Sequence, residues 1–230
     1  MGRSYSVLRA IFVALIVVSA ALVVTGLLTA FSYQIHLDDG AQESYDLYSS
    51  IVSLDEFFSI LSLVPLVGGF VTLIVWTRRA YIVSENAPIT QSTRRYSRGM
   101  AVGSWFIPFG NLFVPKKVIS EVERALTIGA EDELRAGEWS QRPVKRGGTW
   151  WWALWVFSSL IDRALMNSLK QTDADGYLTS AAVFQSAWLS ATSNAVTIAS
   201  LVLGIGYLGH VTQLAELSLT RQRLKGNEVA

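Results

Sequence analysis

At 230 residues the chain has room for one or two soluble domains, and its 51% hydrophobic content lies only slightly above the globular average, so bulk composition leaves the class open. A net charge of +1 and the lack of any aromatic-and-basic motif argue against nucleic acid as a partner. The absence of cysteine excludes a disulfide, a thiolate zinc site and a cysteine nucleophile.

The distribution of charge decides the class. Residues 10–37, 57–77 and 176–215 contain no Asp, Glu, Lys or Arg, and a bilayer-spanning helix needs roughly 20 mainly apolar residues. The first apolar run, preceded by Arg3 and Arg9, is longer than the roughly 7–15 residues of a signal-peptide core and reads as a retained membrane helix over about 8–32. Residues 33–56 carry Asp38, Asp39, Glu43, Asp46, Asp55 and Glu56 but no base, which places them outside the cell. The second helix covers about 55–77, and Pro65 with Gly68 and Gly69 predicts a kink in it.

Beyond Trp76 the chain turns basic, with Arg78, Arg79, Arg94, Arg95, Arg98, Lys116, Lys117, Arg124, Arg135, Arg142, Lys145 and Arg146 preceding the next apolar run. This region is expected on the cytoplasmic side. Within it, the uncharged stretch 99–115 is short for a span and is interrupted by Pro108 and Pro115. Crossing there would put Lys116 and Lys117 opposite Arg94, Arg95 and Arg98, so a re-entrant or interfacial segment with its turn at Pro108 to Asn111 is expected instead. Pro115 suits the first turn of a helix. The residues after it place Val118, Val122, Ala125 and Leu126 on one face, an amphipathic cytoplasmic helix expected to lie on the membrane or against a partner. Residues 129–148 read as a charged loop.

A third span over about 150–167 opens on Trp150, Trp151 and Trp152, whose rings favour the headgroup level. A fourth covers about 185–211 and returns both termini to the cytoplasm, with Arg221, Arg223 and Lys225 in the tail. The expectation is therefore an all-α integral membrane protein of one domain. It has four transmembrane helices, a proline-broken re-entrant or interfacial segment and a cytoplasmic amphipathic helix running into the 116–149 region.

The stretch from Trp76 and Arg79 through Asn86, Tyr96-Ser97-Arg98-Gly99, Trp105-Phe106-Ile107-Pro108, Asn111-Leu112 and Pro115 to Glu121, followed by Trp151-Trp152-Ala153-Leu154-Trp155, resembles the bacterial membrane-protein family known as domain of unknown function 4328. The resemblance covers roughly residues 54–214. Met100 stands where that family usually has Trp, and Asn86 is offset from its usual spacing after Arg79. The resemblance implies a multi-pass protein of the bacterial cell membrane and brings no established activity.

Six positions are candidate sites, either functional or structural. Asp162 and Arg163 lie about two-thirds of a bilayer crossing from Trp150 at 1.5 Å per residue, and intramembrane ionisable residues are default functional candidates. The structural account has Arg163 snorkel outward and pair with Asp55 or Glu56. Trp105, Pro108, Asn111 and Pro115 belong to the broken segment, where Asn111 either presents its amide to a ligand or caps freed backbone groups. Asp173, Asp175 and Gly176 read as a turn rather than a calcium loop, because Gln171 and Ala182 occupy ligand positions of that loop. His36 and His210 fall on opposite sides and read as interfacial residues. Small residues in the fourth helix (Ala191, Ala195, Ala199, Gly204, Gly206 and Gly209) point to packing within the chain.

No cofactor, metal or catalytic motif is found, and no enzyme is expected. The expected function is a non-enzymatic module binding a membrane or cytoplasmic protein partner, or lipid, through its basic cytoplasmic region. The alternative is a small transporter or channel built on 99–115.

Overall fold

A computed structural model describes residues 1–87, 94–131, 142–176 and 178–228. Among these, six α-helices follow one another: α1 (Gly2–Asp39), α2 (Gln42–Ser84), α3 (Arg98–Gly103), α4 (Val114–Glu131), α5 (Arg146–Ser168) and α6 (Ser180–Glu228), with a 3₁₀ turn at Gly110–Leu112. One isolated antiparallel bridge, Thr172 to Leu178, closes the α5–α6 connection. The expected all-helical class holds. Arg135 and the rest of 132–141, half of the expected charged loop, lie outside the described residues.

Three helices, Gly2–Asp39, Gln42–Ser84 and Ser180–Leu224, are long and apolar enough to cross a membrane. Only 11% of the apolar window of α2 is buried, and Val64, Ile60 and Phe31 stand 76%, 69% and 67% exposed. Contiguous apolar surface on this scale marks a protein that associates with a membrane. The fourth expected span, α5, is a helix of 23 residues but falls outside the apolar class, since its amphipathic tryptophans and the Asp162-Arg163 pair dilute its hydrocarbon character.

The helices overrun their apolar windows. A helix continues past the bilayer edge until something stops it, and residues 33–56, expected as an outer loop, are helical except for a tight turn. Gly40 stops α1, at φ 61°, with its N–H donating to the His36 carbonyl at 2.9 Å. Asp39 Oδ1 accepts from the Ala41 N–H (2.9 Å) and the Ser44 hydroxyl (2.7 Å) to start α2. α2 then passes through Pro65 without ending. Asp173 Oδ1 accepts from the Asp175 N–H and Gly176 sits at φ 85°, so the expected turn is there.

The chain divides into two compact units. The first comprises Met1–Ile11, Gly68–Trp152 and Leu203–Ala230. Its core holds Trp76, Tyr81, Tyr207, Ile119, Leu126 and Leu208, each under 2% exposed. Trp76 Nε1 donates to Thr212 Oγ1 (3.0 Å), Tyr5 to the Ile205 carbonyl (2.9 Å), and Arg79 to Ser4. Glycines allow the closest approaches, because a Cβ on Gly204 would sit 2.8 Å from Trp151 Nε1 and one on Gly209 2.5 Å from the Tyr5 hydroxyl. The small residues of α6 at these two positions pack within the chain, as expected.

The second unit comprises Phe12–Val67 and Ala153–Val202. Here Gly26 packs on Ala191 and the Ala187 backbone, and Tyr33 stacks against Tyr48 and Phe184 while donating to Ser180 Oγ at 3.1 Å.

Candidate functional site

α4 forms where the sequence places it, with Pro115 as its second residue. Its surroundings differ from the expectation. Val118, Val122, Ala125 and Leu126 are all 0% exposed, and Ile119 and Ile128 1%. The apolar face is covered by the chain itself and is not free to lie on a membrane or a partner.

Two acids of α4 are buried with it, Glu121 and Glu123. Glu121 Oε2 accepts from the Arg95 N–H at 3.2 Å, just before the Ser97 cap of α3. Glu123 Oε1 accepts from the Lys145 N–H at 2.8 Å, at the threshold of α5, and its Oε2 accepts from the Tyr207 hydroxyl at 2.7 Å. His210 Nε2, one-third exposed, lies 3.8 Å from Glu123 Oε1 at the edge of this network. Burial raises the Glu121 carboxyl above its ordinary range, against the N–H groups of Arg95 and Tyr96 that pull it down. Burial lowers Lys116, whose Nζ reaches Ser120 Oγ at 2.6 Å. α4 is thus a buttress that satisfies backbone donors on two entering segments.

The stretch 99–115 is broken, as its prolines require. α3 lasts six residues, the 3₁₀ turn follows, and Phe109 takes a left-handed φ of 57° that a non-glycine residue rarely adopts. Neighbouring Gly110 has no room for a side chain, since a Cβ would meet Ile107 at 2.6 Å. Trp105 is buried, edge-on to Phe70 and Trp152, and Trp152 Nε1 donates to the Leu112 carbonyl at 2.6 Å. Pro108 is exposed at the tip and Pro115 buried at the base. Phe106, Phe109 and Phe113 point outward, 65%, 78% and 60% exposed. Asn111 caps nothing with its side chain among the described residues; its backbone N–H donates to the Ile107 carbonyl instead, at 2.9 Å.

Arginines crowd the end of α2. Arg94 donates through both terminal nitrogens to Ser84, to the hydroxyl at 3.0 Å and also to the carbonyl, and stacks 5.5 Å from the Tyr81 ring centroid. A cation at this position complements the negative end of a helix. Arg98 Nε donates to both oxygens of Glu85, at 2.8 and 2.6 Å. Tyr81 donates to the Tyr96 carbonyl, which pins the arginine-bearing segment from behind. These groups line an open cleft of about 520 Å³.

The family model described as "Domain of unknown function (DUF4328)" matches residues 38–213. The chain belongs to that family. No curated protein and no solved structure matches it. The family match takes in the buttress, the broken segment and the arginine cleft, and leaves nearly all of α1 outside.

The remaining two sequence candidates lie in the second unit. Asp162 accepts from Ser193 Oγ at 2.5 Å. Arg163 is exposed and, contrary to expectation, pairs with neither Asp55 nor Glu56; the ion pairs among the described residues are Arg98–Glu85 and His210–Glu123. Asp55 instead accepts from Thr25 of α1. Asp55 and Glu56 line a cavity of about 390 Å³ with Thr29, Tyr48, Ser59 and Ser186. The residues that sequence reading missed, Glu123, Tyr207 and Ser193, act through partners 22 or more positions away. No local spacing announces them.

Proposed function

We propose that this protein is a non-enzymatic multi-pass module of the bacterial cell membrane that binds anionic lipid or a protein partner through its basic face. In this reading α1, α2, α5 and α6 each cross the bilayer, both termini are cytoplasmic, and 99–115 dips into the interface on its apolar tip.

One observation supports the topology. Arg95 is hydrogen-bonded to Glu121, and Glu121 follows Lys116 by five helical residues, about 7.5 Å. A hydrocarbon core of about 30 Å does not fit between them, which supports both ends of 99–115 on one side. The first unit also brings together residues 1–11, the basic region and 203–230, which supports a common side for both termini.

The same geometry directs the function. With the apolar face of α4 already covered, the first unit offers charge to a partner through the exposed Arg78, Arg95 and Arg98, which an anionic inner leaflet attracts. The transporter reading through 99–115 has less support, because its tip presents phenyl rings rather than polar groups.

The natural chain has no cysteine, so single-cysteine labelling is clean. Lys117→Cys and Gln222→Cys should label only from the cytoplasmic side and Asp173→Cys only from outside. External labelling at Lys117→Cys would overturn the topology. Solute flux in proteoliposomes above that of empty vesicles would overturn the module.

A further inference from the structure

We infer that the cleft at the end of α2, formed by Tyr81, Glu85, Arg94, Arg95, Ser97 and Arg98, is a binding site for a phosphate group. This deepens the basic-face reading and rests on it.

The three arginines have different duties. Arg94 is committed to Ser84 and to the Tyr81 ring. Arg98 spends only Nε on Glu85, and its side chain is 67% exposed. No hydrogen bond holds its two terminal nitrogens among the described residues. Arg95 is exposed, with its guanidinium 5.8 Å from the Tyr96 ring centroid and its backbone N–H tied to Glu121. The segment is held from behind at both Arg95 and Tyr96, so the guanidinium groups of Arg95 and Arg98 start from a fixed backbone and lose little freedom on binding.

The number of donors selects the ligand. Arg95 and Arg98 together offer two forks, and a carboxylate, with two oxygens in one plane, fills one of them. A tetrahedral phosphate has oxygens for both, and planar guanidinium groups match it bidentately. The facing charges also favour an anion, with three arginines against Glu85 and, behind the segment, Glu121. The cleft volume of about 520 Å³ accommodates a phosphate with its ester substituent.

Two sources can supply the group. Ser84 follows Thr77, the last residue of the uncharged stretch 57–77, by seven helical residues, about 10 Å. The headgroup layer extends about 5–8 Å beyond the hydrocarbon on each face, so the cleft meets either a protruding lipid headgroup or a soluble phosphate ester at the membrane surface.

The full chain in nanodiscs tests this in two arms. In phosphatidylcholine discs, inorganic phosphate and glycerol 3-phosphate are titrated and followed by phosphorus NMR. In discs doped with phosphatidic acid, the bound lipid is counted by native mass spectrometry. Binding in at least one arm should fall about tenfold or more in R95Q/R98Q and stay within about twofold in Lys117→Gln, which removes one charge, as Arg95→Gln does, from a position outside the cleft. Arg95→Gln alone should give an intermediate loss; it keeps the Arg98–Glu85 pair, so it reports even where the double variant does not fold. Binding confined to the first arm identifies a soluble phosphate, and binding confined to the second a lipid headgroup. Equal losses in the Arg95 and Lys117 variants would reduce the cleft to diffuse attraction and overturn the proposal. Absence of binding in both arms would overturn it as well. Neither result touches the membrane-module reading, which stands or falls on cysteine labelling and flux.

Discussion

The two units differ in what their carboxylates hold across the chain. In the first, buried carboxylates reach backbone donors: Glu121 to Arg95 and Glu123 to Lys145, with Tyr207 closing the second bond. In the second, Asp55 and Asp162 reach the hydroxyls of Thr25 and Ser193, while in both units other hydroxyls turn back on their own helix, as Ser159 does to Trp155 and Thr212 to Leu208. The cores differ in the same sense, since every one of the largest side chains under 2% exposed belongs to the first unit. A segment that packs like a water-soluble protein must accommodate loops, and loops bring backbone donors that only a long-range acceptor can satisfy. Helices that leave apolar side chains outward need no such acceptors, and self-bonded hydroxyls suit a hydrocarbon surrounding.

The sharpest way to break this comparison is to remove an acceptor from the first unit. Glu123→Ala strips partners from the Tyr207 hydroxyl and the Lys145 N–H at once, and each buried donor left unpaired costs about 1–3 kcal/mol. The expected loss is about 3 kcal/mol in detergent, seen as a large fall in Tm, with Glu123→Gln retaining part of it. A change under about 0.5 kcal/mol would mean that water satisfies both donors and that α4 is no buttress. The corresponding cut in the second unit is Ser193→Ala, which removes one hydrogen bond to Asp162. Its expected cost is about 1 kcal/mol, in line with polar contacts between membrane helices. A loss as large as that of Glu123→Ala would erase the distinction between the units.

What the sequence makes legible follows the same division. Apolar windows locate α1, α2 and α6, because hydrocarbon surface is a local property of the chain. The break in 99–115 is legible from Pro108, which removes a helical hydrogen bond in a short segment, and from Pro115, which suits the first turn of a new helix. Helix ends are less so. α2 runs on to Ser84 and α6 to Glu228 because leaving an apolar environment does not itself stop a helix, while Gly40 stops α1 through its left-handed backbone. The periodicity of α4 shows that one face is buried without saying what covers it. Here Ala87, beyond the end of α2, clusters with Ala125 and Ile128, and Glu121 and Glu123 are buried along with that face, each matched to a donor that only the folded chain brings near. The same limit applies to Arg163, whose expected partner Asp55 is already engaged by Thr25.

The smallest expected effect bears on the other acid of the buttress. Burial holds the Glu121 carboxyl above its ordinary value of about 4.5, despite the N–H groups of Arg95 and Tyr96 that favour ionisation. A carboxyl whose pKa is higher in the folded state binds its proton more tightly there, so the stability it contributes is complete below pH 4.5 and is lost as pH rises through the folded value. Glu121→Gln keeps an acceptor for the Arg95 N–H and removes the titration. It should flatten the Tm profile between pH 4.5 and neutrality and raise Tm at pH 7 by less than about 3 °C. A variant less stable at pH 7, with the pH slope unchanged, would show Glu121 ionised at little cost, as an exposed carboxylate would be.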